Sequence, residues 1–172
     1  MVELLVTLCI VAISAGLALP SMGAMLAQFR AGRLASSFSL SVQRARSEAI
    51  HRNARVVLCK SADGLRCTKT GGYEQGWLIF EDANNNAQRD PQEGVIEVAL
   101  QAPAGLQLFG NGPVAHYVSF TGLGTPWLVG GEFQAGTWTV CRTSEQAAVA
   151  HSIALAKTGN LRSYKSTQSR CG

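Results

Sequence analysis

The chain has 172 residues, a net charge of +4 and 47% hydrophobic residues. This length accommodates one domain with an appended segment, and so small a positive charge gives only weak support for a nucleic-acid partner. The charge is segregated, with nine Lys or Arg against two acids over 30–69 and six acids against one Arg over 74–97. Patches of opposite charge favour docking between like subunits.

The first stretch of the chain is apolar and begins with a single acid. Glu3 is followed by 26 uncharged residues, 4–29, a length that is enough to cross a bilayer as a helix. Basic residues follow this run, starting at Arg30, and none precedes it, which argues against a cleavable signal peptide. We therefore predict a membrane-spanning segment at 1–29 and a globular head at 30–172.

A proline interrupts the apolar run. Pro20 has no amide hydrogen to donate to the carbonyl of Gly16, so we expect a bend or local melting of the helix there.

The helical pattern continues beyond the apolar run. Apolar residues recur at spacings of four, four, three and four, which predicts an amphipathic helix that ends near Asn53 and packs on the head: Leu34, Phe38, Val42, Ala45 and Ala49. Arg44 and Glu48 lie off this stripe, and their spacing predicts an ion pair one turn apart.

The rest of the chain has short apolar or alternating runs divided by Gly, Pro and Asn. These runs predict a mostly antiparallel sheet or sandwich with strands at Arg55–Cys59, Trp77–Glu81, Val95–Leu100, Leu106–Phe109, Tyr117–Phe120, Thr137–Arg142 and Ser152–Ala156. The glycine-rich stretch 121–136 is predicted to be a long loop with a short edge strand. The predicted fold class is thus α+β.

Four of the five cysteines lie outside the apolar run. An even number indicates an oxidising compartment and two disulfides, and proximity favours Cys59–Cys67, which leaves Cys141–Cys171. Zinc binding is the alternative, although no CxxC spacing occurs and the histidines are scattered. Cys9 is expected to act as a small hydrophobic residue.

One acidic loop has the spacing of a calcium-binding loop. Side-chain oxygens fall at positions 1, 3, 5, 7, 9 and 12 of the EF-hand pattern: Asp82, Asn84, Asn86, Gln88, Asp90 and Glu93. Ala87 occupies the position where a glycine normally makes the turn, and the flanks read as strands. An Asx-rich loop between two strands is the alternative to calcium, and no other cofactor is expected.

No enzymatic motif accompanies the three histidines, His51, His116 and His151. We find no nucleophile with its base, no phosphate-binding loop and no HExxH, so an enzyme is not expected.

The segment "VELLVTLCIVAISAGLALP" resembles the N-terminal helix of type IV pilins and of type II secretion pseudopilins. That family has a Glu followed seventeen residues later by a Pro, the spacing of Glu3 and Pro20 here. The segments "QRARSEAIHRNARVVLCKSADGLRC", "YEQGWLIFEDANNN" and "EGVIEV" further resemble the FimT/FimU-type minor pilins and the H-type pseudopilin.

The resemblance implies the pilin fold, in which a long N-terminal helix packs on a β-sheet head. It also implies a basic leader cut by a prepilin peptidase, N-methylation, and two mature residues before Met1. Glu3 would neutralise the terminal amine of a neighbouring subunit, because a buried carboxylate is costly unless it is paired. Gly16 and Pro20 would let the helix melt or bend on entering the fibre.

The function that the resemblance implies is that of a minor type IV pilin, a structural subunit that helps to initiate or cap the fibre. The chain would be a single-pass inner-membrane protein with its head in the periplasm, later assembled into a surface pilus. Its partners would be major and minor pilins and the assembly platform. The alternatives are the H-type pseudopilin of a type II secretion system and a DNA-binding minor pilin for natural transformation.

The DNA-binding alternative depends on the C-terminal segment. Some FimT-type minor pilins bind DNA through a Gly-Arg-x-Arg motif, and the matching stretch here, 159–162, lacks the first Arg. A basic patch of four cations could contact phosphates: Lys157, Arg162, Lys165 and Arg170. Otherwise this segment is a solvated tail held by a disulfide.

Overall fold

A computed structural model describes residues 2–143 and 148–168; the side chains at 11–22, 24, 148–149 and 167–168 are not described. The chain forms two compact units, Met1–Arg30 and Ala31–Gly172. Over the described residues its elements are one helix, eight strands and two 3-10 turns, Tyr73–Gln75 and Gly112–Val114. The helix is α1 (Val2–Arg52), and the strands are β1 (Val56–Lys60), β2 (Trp77–Glu81), β3 (Val95–Ala99), β4 (Leu106–Gly110), β5 (Tyr117–Phe120), β6 (Gly136–Arg142), β7 (Ala148–Leu155) and β8 (Leu161–Gln168).

The strands make two four-stranded sheets. The first has the order β3-β2-β1-β5 and the second the order β4-β6-β7-β8, and neighbouring strands are antiparallel throughout. The predicted fold, a helix packed on antiparallel sheets, is confirmed.

The second half of α1 packs on the sheets through its apolar stripe. Five side chains at the predicted spacing are buried: Leu34, Phe38, Val42, Ala45 and Ala49. Phe38 lies at the centre, with its ring edge-to-face with those of Tyr73, Trp77 and Trp138 at centroid distances of 5.1, 5.1 and 5.2 Å. Burial of a large apolar stripe, rather than helix propensity, therefore stabilises this part of the helix.

The first sheet is covered on both faces. Along β1, Val56 and Leu58 belong to the main core, while Val57 and Cys59 belong to a second cluster with Leu78 and Phe80. Because successive side chains of a strand point to opposite faces, β1 reads as a continuous apolar run rather than an alternating one.

The predicted ion pair between Arg44 and Glu48 is wrong. Arg44 pairs instead with Glu97 of β3, with Nη1 to Oε2 at 3.1 Å, and Glu48 accepts from Arg52 Nε at 2.8 Å. This hydrogen bond from Arg52 lowers the pKa of Glu48. The sheet supplies a carboxylate to Arg44 that the helix sequence alone does not reveal.

The C-terminal segment forms a strand, which the sequence did not predict. β8 pairs with β7 over eight consecutive positions, from Leu155–Leu161 to Ala148–Gln168. Its side chains are mostly polar and exposed, because β8 is the outer strand of the second sheet. A pattern search for apolar alternation misses such a strand.

Candidate functional site

The first turns of α1, over residues 2–10, present apolar side chains around most of the helix. Large side chains at closely spaced positions are exposed: Val2, Leu4, Leu5, Val6, Leu8 and Ile10. At about 100° per residue, these positions surround the helix axis except on the side of Glu3 and Thr7. Glu3 is exposed in the first turn, where a negative charge suits the helix dipole. A surface of this kind needs a lipid or protein partner.

Two further findings concern this unit. The helix continues without interruption through Gly16 and Pro20. The bend or local melting expected at Pro20 therefore does not divide α1 into two helices. Within the described part of the chain, no helix combines the length and the apolar character needed to cross a membrane.

The head contains a disulfide between Cys59 and Cys67, the pairing that sequence proximity favours. It joins β1 to the loop that follows and closes a short segment that includes Asp63 and Leu65. Cys141 is buried in β6. Its expected partner Cys171 lies outside the described residues, so the pairing Cys141–Cys171 stays a prediction.

The acidic loop folds around its own backbone. Asp82 is buried, and its two carboxylate oxygens accept from the amides of Asn86 at 3.1 Å and Ala87 at 3.0 Å. The carboxylate of Glu93 accepts from the amides of Ala83 and Asp90, both at 2.9 Å.

The remaining predicted calcium ligands also bond within the loop. Asp90 Oδ2 accepts from the side-chain amides of Asn84 at 2.8 Å and Asn86 at 3.1 Å, while Gln88 donates its side-chain amide to the carbonyl of Ala87. Over the described ranges, no group of three His, Cys, Asp or Glu could hold a metal ion.

The carboxylate oxygens of these residues hold the loop closed, as the Asx-rich alternative expects. Ala87 has a φ of +54° at the position where the EF-hand has glycine, and its side chain is buried in the second apolar cluster. The loop thus has a left-handed turn at that position, and the side chain of Ala87 packs into the head.

Two of the four predicted cations, Arg162 and Lys165, lie on opposite faces of β8. Arg162 is paired with Ala154 and Lys165 with His151, and an odd separation along a strand places the two side chains on opposite faces of β8. His151 lies against α1, since a Cβ built at Gly32 would be 3.4 Å from its Cε1. Lys165 is therefore on the helix side, and Arg162 is on the other face.

The other two cations lie apart from this strand or beyond the description. Lys157 is exposed in the turn between β7 and β8, and Arg170 lies outside the described residues. Tyr164 is exposed and, two residues from Arg162, shares its face. Among the described side chains of this segment, Arg162 and Tyr164 share one face of β8.

Gly159 begins the stretch 159–162 that partly matches the DNA-binding motif, and it has a structural role. Gly159 has a φ of +83°, and a Cβ there would lie 2.7 Å from the carbonyl oxygen of Gly124. Its own carbonyl accepts from Arg46 Nη1 at 3.1 Å. The turn at 156–160 therefore packs closely against Gly124 and accepts a hydrogen bond from α1.

Nothing in the sequence singles out Arg46. Its guanidinium donates to the carbonyls of Gly124 at 3.0 Å and Thr158 at 3.2 Å, and to Oδ1 of Asn160 at 3.3 Å, besides Gly159. One side chain of α1 thus fixes two loops. The acceptors are backbone carbonyls far away in the chain, so no spacing in the sequence could reveal them.

Gln134 is a second such residue. Its side chain is fully buried, and its amide nitrogen donates to the carbonyls of Pro113 at 2.7 Å and Tyr117 at 2.9 Å. Its oxygen accepts from the Ser119 amide at 3.0 Å. Gln134 therefore holds the segment 121–134 against β5.

The histidines and tryptophans show no catalytic arrangement within the described part of the chain. Burial and nearby lysines lower the pKa of both His116 and His151. Trp77 and Trp138 are core residues, whereas Trp127 packs on Phe133 at a centroid distance of 4.5 Å.

A helix with an apolar first half and a second half laid on antiparallel sheets defines a pilin-like subunit. The family model "Type II transport protein GspH" matches residues 34–159, and the chain belongs to this family. It is accordingly a structural subunit and not an enzyme.

Solved structures show the same fold. The type IV minor pilin FimU of Pseudomonas aeruginosa is similar at 15% identity and a TM-score of 0.61, covering 84% of this chain and 97% of its own. The minor pseudopilin EpsH from the type 2 secretion system of Vibrio cholerae is similar at 14% identity and a TM-score of 0.53, covering 79% and 97%. No curated protein matches the sequence significantly.

Proposed function

We propose that this chain is a minor pilin that helps to initiate or cap a type IV pilus fibre. The observation that carries the proposal is the exposed apolar surface of the helix over the described stretches 2–10 and 25–29, with one carboxylate, Glu3, in its first turn. A monomer in water would not leave so much contiguous apolar surface uncovered. Such a helix fits first a bilayer and then a bundle of like helices.

In this proposal the helix is held in the inner membrane with the head in the periplasm. A prepilin peptidase removes a leader, the new terminus is methylated, and the assembly platform transfers the helix into the filament core. The carboxylate of Glu3 then pairs with the terminal amine of a neighbouring pilin, because an unpaired charge among apolar helices is costly. Gly16 and Pro20 supply a weak point where the helix can bend during this transfer.

The test is the replacement of Glu3 by Gln, which removes the charge and keeps the shape. We expect Glu3→Gln to remain in the membrane fraction and to be lost from sheared filaments, while Glu3→Asp retains part of the incorporation. Quantitative immunoblots of both fractions give the result. Filament incorporation of Glu3→Gln equal to that of the parent chain would refute the role of this carboxylate.

A second candidate is the H-type pseudopilin of a type II secretion system. The description of the matching family and the similarity to EpsH favour it. Deletion of the chain in its host separates the two: loss of surface pili supports the first proposal, and loss of protein export into the medium supports the second.

DNA binding by the head is a weaker alternative, since Arg162 and Lys165 lie on opposite faces of β8. It predicts salt-dependent binding of a DNA duplex to the full chain in detergent. Arg162→Ala should weaken that binding, with Arg44→Ala as the control for loss of one positive charge. Equal binding by both variants would remove this alternative.

A further inference from the structure

A cavity of about 260 Å³ lies in the head, between the loop that follows β1, the acidic loop and the start of β5. Its lining includes the buried residues Cys59 and Ala87, so the cavity reaches the second apolar cluster. Most of its other lining side chains can donate hydrogen bonds: Thr68, Lys69, Gln88, His116 and Tyr117. No Asp or Glu is among the described residues that line it. The cavity therefore suits a ligand that accepts hydrogen bonds.

Two walls of the cavity are attached to the end of β1. The Lys60 amide donates to the carbonyl of His116 at 3.2 Å, and the Lys60 carbonyl accepts from the Thr68 amide at 2.9 Å. The Cys59–Cys67 disulfide ties the same loop to β1. The backbone that carries Lys69 and His116 is therefore fixed, which lowers the entropy cost of binding.

Positive charge gathers beside this cavity. Burial and the charges of Lys60 and Lys69 hold the pKa of His116 below its usual value. Lys60 is itself buried and donates its Nζ to the carbonyl of Gly71 at 2.6 Å, and the Glu74 carboxylate acts on Lys60 but not on His116. Over the described residues, Lys69 and the His116 ring form no ion pair. A site that holds cations together without an acid favours an anion.

Neutral donors accompany the two cations. The Tyr117 hydroxyl accepts from the Val129 amide at 3.3 Å, and its own hydrogen remains to donate. The Gln88 side-chain amide donates one hydrogen to the carbonyl of Ala87 at 3.1 Å and has a second. A phosphate group has more terminal oxygens and more negative charge than a carboxylate, so it uses these donors more fully.

We propose that this cavity binds a small phosphate ester, with Lys69 and His116 as the charged ligands of the phosphate group. A phosphate group alone fills only part of a volume of about 260 Å³. The remaining volume accommodates an organic group of about the size of a hexose, against Tyr117 and Val129. The site lies wholly in the head, so it goes beyond the proposed function and does not depend on assembly into a fibre.

Protonation of His116 should be coupled to binding. The charged groups that act on its ring are Lys60 on β1 and Lys69 in the loop, and both are positive. Without ligand the ring is therefore neutral at pH 7. A bound phosphate places negative charge beside the ring, and it should raise the pKa of His116 by about 1.

The experiment is proton NMR of the histidine rings of the full chain in detergent, titrated with glucose 6-phosphate at fixed ionic strength. The chain has three histidines, and His116→Gln assigns the resonance of His116. We expect this resonance to shift saturably with ligand and to titrate at higher pH in its presence. The resonances of His51 and His151 serve as internal controls and should stay unchanged.

Two matched variants test the position of the site. Lys69→Gln removes a cation of the cavity and should weaken binding about tenfold. Lys157→Gln removes an equally exposed charge in the turn between β7 and β8 and should leave the affinity unchanged. Unshifted resonances of His51 and His151 in both variants show that the head remains folded.

Two further ligands test the chemistry. Inorganic phosphate lacks the organic group, and glucuronate replaces the phosphate by a carboxylate on a sugar of similar size, so both should bind more weakly. The proposal is overturned by an unshifted His116 resonance or by equal weakening in Lys69→Gln and Lys157→Gln. Equal or tighter binding of inorganic phosphate or of glucuronate also overturns it.

Discussion

The side chain of Arg46 offers the sharpest test of how the head is held together. Arg46→Ala removes four hydrogen bonds that join α1 to the loops around Gly124 and Gly159. Two of them, to the carbonyls of these glycines, are partly buried and charge-assisted, and each contributes about 1.5 kcal/mol. The two exposed bonds add little. The expected loss in the free energy of unfolding is about 3 kcal/mol.

The assay is thermal unfolding of the full chain in detergent, followed by tryptophan fluorescence. All three tryptophans, Trp77, Trp127 and Trp138, lie in the head, so the signal reports this unit alone. A loss of about 3 kcal/mol lowers the midpoint by about 6–12 °C in a domain of this size. Arg44→Ala is the control: its ion pair with Glu97 is exposed, and its loss costs at most about 1 kcal/mol.

A double-mutant cycle checks the mechanism. Gly159→Ala places a Cβ 2.7 Å from the Gly124 carbonyl oxygen and 2.9 Å from Arg46 Nε, so it should displace the guanidinium and destabilise the head. With Arg46 already replaced by Ala, part of this cost disappears, and the two changes are less than additive. Equal losses for Arg46→Ala and Arg44→Ala, or strict additivity, would refute the reasoning.

Three further changes have expected outcomes. Phe38→Ala removes a buried ring that contacts three others, and it should lower the free energy of unfolding in chemical denaturation by about 3–5 kcal/mol. Phe38→Leu should lower it clearly less. A smaller loss for Ala than for Leu contradicts the packing. Gln134→Ala removes the hydrogen bonds that the Gln134 side chain makes to the buried Ser119 amide and to two carbonyls. It should lower the free energy of unfolding by about 2–3 kcal/mol and increase hydrogen exchange of the Ser119 amide. Unchanged exchange at Ser119 contradicts this expectation. The lowered pKa of His151 means that its neutral form stabilises the head, so this contribution is lost as the pH falls below about 6.5. His151→Gln should flatten the midpoint-against-pH curve in that window, and an unchanged slope would exclude the effect.

The helix and most strands of the head could be predicted from local pattern. The stripe from Leu34 to Ala49 has helical periodicity because one side of α1 is buried, and all five predicted stripe positions are in the core. The strands of the first sheet are apolar runs because both faces of that sheet are covered. Extensive burial of a helix or strand thus produces an apolar pattern that can be recognised in the sequence.

The errors have the opposite origin. β8 is polar because it is an outer strand, so pairing with β7 rather than burial defines it. Arg162 and Lys165 lie on opposite faces because this segment is a strand, which its composition does not reveal. The spacing from Asp82 to Glu93 left a calcium loop and an Asx-rich loop open, because it describes where oxygens lie, not which amides they accept from.

Glu97 illustrates the same limit for ion pairs. Its carboxylate accepts from Ser41 Oγ at 2.6 Å and pairs with Arg44, so it displaces the neighbour that helical spacing favours. Spacing along a helix gives candidate ion-pair partners for a charged residue, and the tertiary structure determines which partner it contacts.

The pairing of β1 with β5 has a consequence for how the head forms during synthesis. Val56 lies opposite Phe120, so the first sheet cannot be completed until the chain beyond Phe120 is available. Contacts between residues so distant in sequence make folding slow, because a long loop must be closed before the contacts stabilise it. The Cys59–Cys67 bridge spans a separation of only eight residues and can form well before that. Oxidation can therefore precede closure of the sheet, and the apolar strands of the half-made head stay exposed until β5 is available.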